Sequence, residues 1–146
     1  MVEGPEQLDP AIRALVRTGY DHIAGHIGGG MVAWYEVALA SSSFPVWSAR
    51  SVREEGAEDL FFLDIRMEKE RREARAEGSH HIFVGHLPSR IDEVPKDRKV
   101  VILCSTGTRG SLAASILEMH GRRPVNLLGG MTGWARAGLP TTSDIR

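Results

Sequence analysis

The stretch VVILCSTGTRGSLAASIL, residues 100–117, holds the chain's only cysteine, Cys104. The apolar run VVILC (100–104) reads as a buried strand, and SLAASILEMHG (111–121) as a helix ending at Gly121. Between them, CSTGTR (104–109) carries only small side chains before Arg109, so its backbone N–H groups can curl inward around one centre. Such a nest at a helix N-terminus stabilises negative charge, and the thiolate is the reactive form of cysteine. Gly107 admits a backbone conformation that a β-carbon would obstruct. Ser105, Thr106 and Thr108 offer hydroxyls without filling the pocket. A lone cysteine is ordinarily a packed core thiol. The strand, glycine loop and helix around Cys104 argue instead for an exposed nucleophile beyond the carboxyl end of a strand, where open parallel sheets bind ligands.

The rest of the chain supplies the sheet. VW (46–47), LFFLDI (60–65), HHIFVG (80–85) and PVNLL (124–128) read as short strands. SARSVREEG (48–56), LPSRIDEVP (87–95) and GGMTGWARAGLP (129–140) read as capped helices or turns between them. MEKERREARAEG (67–78) is charged throughout and reads as a solvated helix. Upstream, Asp9 as N-cap and Pro10 open a helix through AIRALVRTG to a stop at Gly19. A glycine-rich turn then leads to a short helix around Trp34, and ASSSFP (40–45) reads as a linker. Strands alternating with helices indicate an α/β fold with a central parallel sheet of about five strands and helices on both faces.

Composition narrows the function classes. The 146 residues are 42% apolar and 25% charged with a net charge of −1, which gives no electrostatic reason to expect nucleic acid or an anionic membrane as partner. No apolar run reaches the roughly 18 residues of a membrane span. The start, MVEGPEQLDP, lacks the pattern of a secretory signal, and the single cysteine suits a reducing compartment, so a cytoplasmic location is expected.

An internal repeat runs beneath this pattern. Gly29-Gly30-Met31-Val32-Ala33-Trp34 and Gly129-Gly130-Met131-Thr132-Gly133-Trp134 share GGMxxW, and the register continues to Leu39 and Leu139. Carried back in register, or aligned on Gly19 and Gly121, Cys104 falls on Gly4 or Val2, and Arg109 on Asp9 or Gln7. Residues 1–45 therefore read as a partial, cysteine-less repeat before a complete domain at 46–146.

These residues resemble the rhodanese-like sulfurtransferases. In that family a cysteine ends a core strand and opens a six-residue loop, often C-x-x-G-x-R, which Cys104, Gly107 and Arg109 match. LDIRMEKE (63–70) is similar to the family's L-D-V-R-x-x-x-E segment, placing Asp64, Arg66 and Glu70. GSHHIFVGHLPSRIDEVPKDRKVVILC resembles the approach to the cysteine, and NLLGGMTGWARAGLP the closing segment. The chain departs from the family at Ala74-Arg75-Ala76-Glu77-Gly78-Ser79 in place of G-H-I-P-G-A, and at Arg71 in place of an aromatic. Position 105, often arginine, is Ser105, which removes a cation suited to an anionic donor such as thiosulfate.

The resemblance implies a thiosulfate or persulfide sulfurtransferase. Cys104 would carry a sulfane sulfur from the donor to a thiol or cyanide acceptor, with Ser105, Thr106, Gly107, Thr108 and Arg109 around the substrate and no metal or cofactor. Arg109 either orients an anionic donor or braces the loop by pairing with Asp64 or Glu70; Asp64 and Arg66 are structural. A non-catalytic docking or sulfur-carrier module serving a persulfide-oxidising enzyme is the alternative. Residues 1–45 also resemble the tail of a rhodanese repeat, as in tandem proteins or fusions with a metallo-β-lactamase-fold hydrolase, and are the expected surface for a protein partner or self-association.

Other chemistries fit less well. A cysteine phosphatase needs Cys-x5-Arg, and position 110 is Gly110. His80, His81 and His86, like His22 and His26, lack partners at metal-ligand spacing. The GHIGGGM run lacks the lysine of a phosphate loop.

Overall fold

The computed structural model describes residues 4–17 and 22–144, divided between two units, Met1–Ser42 and Ser43–Arg146. In the first unit a 3-10 turn at Pro5–Gln7 runs into helix α1 (Leu8–Arg17). The sequence places Asp9 as a cap, but the helix has already begun at Leu8, whose N–H bonds back to the Pro5 carbonyl. Asp9 lies inside the first turn and accepts from Arg13 Nε at 2.8 Å. Pro10 is tolerated there because first-turn N–H groups have no helical partner. The expected stop at Gly19 lies outside the described residues.

Helix α2 (Gly30–Glu36) follows Gly29, which is left-handed at φ 78°. Trp34 Nε1 donates to the Ala40 carbonyl at 3.0 Å, and the Leu39 N–H to the Trp34 carbonyl at 3.2 Å. Neither α1 nor α2 contains a buried residue.

The second unit holds the cores. Its strands are β1 (Val46–Trp47), β2 (Leu60–Asp64), β3 (Arg75–Ala76), β4 (His80–His81), β5 (Lys99–Leu103), β6 (Arg123–Leu127) and β7 (Thr141–Thr142). Five of them form one parallel sheet in the order β1-β6-β5-β2-β4, so β5 is central. Helices α3 (Ala49–Glu55), α4 (Glu68–Glu73), α5 (Thr108–Met119) and α6 (Gly130–Arg136) complete the unit. This is the α/β architecture expected from the sequence, a parallel sheet of five strands with helices about it.

Alternation along the strands divides the core. Val101, Leu103, Val125 and Leu127 pack with Ala49 and Val52 of α3 and Met131 and Trp134 of α6. On the other face, Leu63, Val100 and Ile102 meet Ala113, Ala114 and Leu117 of α5, with Ile82, Leu87 and Val94. Each large apolar side chain buried this way contributes about 1.5–3 kcal/mol. Gly110, Ala113, Ala114 and Leu117 recur at helical spacing, so a stripe of mostly small residues brings α5 close to the sheet.

Three local readings are corrected. The helix expected over 67–78 stops at Glu73, because the Ala74 carbonyl accepts from buried Arg66 Nη2 at 2.7 Å and Ala74 turns extended. The following Arg75–Ala76 pairs antiparallel with β7, and Arg75 bridges Asp144 at 2.7 Å. The strand expected over 80–85 covers only His80–His81, before a 3-10 turn at Val84–His86. Helix α5 begins at Thr108 rather than Ser111, entered through Gly107.

Candidate active site

Cys104 is the residue after β5, and it is both core and loop. It belongs to the buried cluster with Val100, Ile102 and Ala113 and is only 1% exposed. Its Sγ accepts the Gly107 N–H at 2.8 Å. The expected exposed nucleophile is thus corrected: the thiol is buried at the base of the loop, and the loop backbone turns a donor onto it. That turn requires φ 105° at Gly107, a conformation that side-chain-bearing residues rarely adopt. The Cys104 carbonyl points the other way and accepts the Met131 N–H at 2.7 Å. Ser105 accepts from the Thr132 N–H at 3.2 Å and its hydroxyl at 3.1 Å. The loop is therefore docked on the first turn of α6. Gly130 makes this approach feasible, since a β-carbon there would lie 2.3 Å from the Cys104 oxygen.

The loop's far end is closed by a charged network. Arg109 forks onto Glu70, Nη1 to Oε2 at 2.9 Å and Nη2 to Oε1 at 2.6 Å. The Ser105 hydroxyl accepts from Arg109 Nη2 at 2.6 Å and donates to Glu70 Oε1. Glu70 Oε2 also accepts the Met67 N–H at 3.1 Å, capping α4. The Arg109 hydrogen bond, more than any other influence, lowers the Glu70 pKa from 4.5 to about 2, against the opposing effect of burial. Of the two partners open to Arg109, the structure pairs it with Glu70. Asp64 instead receives Arg66 Nε at 2.9 Å and Nη2 at 2.6 Å, a buried pair. Glu70 thus leaves the solvated face to which its charged segment assigned it. Thr106 and Thr108 are exposed.

The model of the rhodanese-like domain matches residues 48–137, more than half of the chain. The chain belongs to the rhodanese-like domain family. A sulfurtransferase of Allochromatium vinosum is 39% identical over 84 residues, 57% of this chain and 78% of the relative. A thiosulfate sulfurtransferase of Actinobacillus succinogenes is 31% identical over 84 residues, 57% of this chain and 76% of the relative. Among solved structures, a rhodanese-related protein from Thermoplasma volcanium shares the fold with a TM-score of 0.64 at 23% identity, covering 68% of this chain and 98% of that one. These relatives support sulfur transfer as the general chemistry of this rhodanese domain.

Three supporting residues of the rhodanese loop escaped the sequence reading. Asn126, buried in β6, donates Nδ2 to the Gly107 carbonyl at 3.2 Å and to Ser111 Oγ at 3.4 Å, holding the loop from behind. Its signal was a lone amide in the apolar strand PVNLL. Gly130 and Thr132 lie in the repeat and in the closing segment, where the double glycine marks a close backbone approach. A cleft of about 260 Å³, lined by Arg66, Glu70, Glu73, Ser105, Met131 and Thr132, adjoins the loop. The histidines are engaged elsewhere: His80 Nε2 meets Glu93 at 2.9 Å, and His81 lies 3.1 Å from Glu68 and 2.8 Å from the Arg66 carbonyl. Among the described residues no His, Cys, Asp and Glu cluster is placed to hold a metal, and no helix is long and apolar enough to cross a membrane.

Proposed function

We propose that the rhodanese domain transfers a sulfane sulfur through a persulfide on Cys104. The observation that carries this reading is the Gly107 N–H directed at Sγ from 2.8 Å within a loop whose ends are fixed. In the first half-reaction the Cys104 thiolate attacks the sulfane sulfur of thiosulfate or of an organic persulfide. A new S–S bond forms, the donor's S–S bond breaks, and sulfite or the thiolate RS⁻ leaves with the electron pair. The backbone N–H groups across Ser105, Thr106, Gly107, Thr108 and Arg109 then surround the outer sulfur and its charge. In the second half-reaction a thiol or cyanide attacks that sulfur and Cys104 departs as thiolate.

Loop length supports sulfur over phosphate. A phosphatase-type loop would put arginine at 110, but Gly110 is buried and a β-carbon there would stand 2.0 Å from Asn126 Oδ1. The non-catalytic module is not favoured beside relatives named as sulfurtransferases. Residues 1–45 we read as the closing part of a second, cysteine-less rhodanese repeat. This reading is supported by the matching local geometry: Gly29 and Gly129 at φ 78° and 74°, and Trp134 Nε1 donating to the Pro140 carbonyl at 2.9 Å as Trp34 does to Ala40.

The test is steady-state transfer from thiosulfate or glutathione persulfide to cyanide or a thiol. Wild type turns over and Cys104→Ser, folded by circular dichroism, does not. Turnover retained by the folded variant would overturn the persulfide route.

A further inference from the structure

We propose that the Glu70–Ser105–Arg109 network is a charge lock that sets donor class: it withholds the loop's arginine from dianionic donors and selects an organic persulfide, R–S–SH, over thiosulfate. This inference rests on the persulfide route above. Among the described residues, Arg109 stands in the loop and Arg66 in the cleft beside it, and both are taken. Arg66 is 5% exposed and satisfied by Asp64, with further bonds to the Ala74 and Glu70 carbonyls. Arg109 is forked onto Glu70, and the Ser105 hydroxyl fills the remaining reach of its Nη2. The fork fixes the plane of the guanidinium, so turning it toward a ligand means breaking two charge-assisted bonds. Of the charged residues lining the adjoining cleft, that leaves Glu73, an exposed carboxylate, without an opposite charge.

The two donors ask different things of such a mouth. With thiosulfate, the thiolate and donor together carry three negative charges, and the leaving sulfite keeps two of them one bond from the reacting sulfur. A loop offering only backbone dipoles and hydroxyls compensates little of this, and Glu73 opposes it. With R–S–SH the attack on the outer sulfur forms Cys104–S–SH and releases RS⁻. At the reacting sulfurs one negative charge is present before and after: the loop amides hold it while it is on Cys104, and it departs on RS⁻. Position 105 joins the two ends of the network. Its serine is short enough to sit between Glu70 and Arg109, and adds no charge of its own.

The experiment compares kcat/KM for thiosulfate with that for glutathione persulfide in the full chain, with persulfide formation on Cys104 followed by intact mass. Wild type should favour the persulfide. Glu70→Gln, which keeps hydrogen bonding but releases the guanidinium, should raise the thiosulfate-to-persulfide ratio about tenfold, the factor that one charge-assisted hydrogen bond is worth. Glu73→Gln, on an exposed position that folding tolerates, should raise the same ratio by a smaller factor. Equal use of both donors by wild type, or a ratio unmoved in both variants, would overturn the charge lock while leaving the persulfide route intact. Failure of both donors to load Cys104 in folded wild type would instead remove the route on which the lock depends.

Discussion

Glu70 meets three obligations at once: it caps α4, forks with Arg109 and receives the Ser105 hydroxyl. These contacts depress its pKa from 4.5 to about 2. A depressed carboxylate stabilises the fold fully above its unfolded pKa, and that contribution is lost as pH falls through the folded value. The stability difference between wild type and Glu70→Gln should therefore stay level above about pH 5.5 and shrink as pH falls from about 4.5 toward 2, as urea melts across that range will show. A difference independent of pH would mean that the fork does not hold the carboxylate ionised. Gly130→Ala should act on the same loop from the opposite side. Its β-carbon would sit 2.3 Å from the Cys104 carbonyl at φ 52°, costing about 1–3 kcal/mol by denaturation and lowering transfer as the loop lifts from α6. Cys104 and Arg109 were legible because their meaning lies in local spacing. The Arg109–Glu70 pairing was legible only as one of two choices beside Asp64, and the choice itself was not, since it joins residues 39 apart and depends on where α4 begins relative to the end of β5. Nor was the burial of Cys104, because strand alternation assigns it to the α5 face only once the sheet is known.

At the level of elements, α6 and α3 cover the same face of the sheet yet differ in consequence. The first turn of α6 grips the Cys104 carbonyl, while α3 sends Ala49 and Val52 into the core. Ser48 caps α3 by accepting the Ser51 N–H at 3.1 Å. Ser48→Ala should cost about 0.5–2 kcal/mol in a chemical melt and leave kcat/KM unchanged. A matching loss of transfer would mean that the two helices are coupled through the sheet. The long apolar strands β2 and β5 declared themselves by composition. Two-residue strands have no periodicity to read, which is why the β3–β7 pair appeared only in the structure. Helix α5 was expected three residues late because its entry is set by a left-handed glycine, not by a capping side chain.

For the whole molecule, both buried cores fall within residues 44–139, and α1 and α2 contain no fully buried residue. Residues 43–146 alone should consequently keep the thermal midpoint and transfer rate of the full chain, compared by calorimetry and steady-state assay. A large drop in either would assign the first unit a part in the domain's stability or chemistry. The GGMxxW pattern occurs twice in the sequence, and in both places the glycine pair is left-handed, Gly29 and Gly30 at φ 78° and 59°, Gly129 and Gly130 at 74° and 52°. Transfer turns on one sulfur atom, and intact-mass measurement follows that atom most directly. After treatment with glutathione persulfide, folded wild-type protein should gain one sulfur on Cys104 and lose it on adding cyanide, with thiocyanate released in equal amount. No added sulfur on Cys104, or one that cyanide leaves in place, would contradict sulfur transfer through this residue.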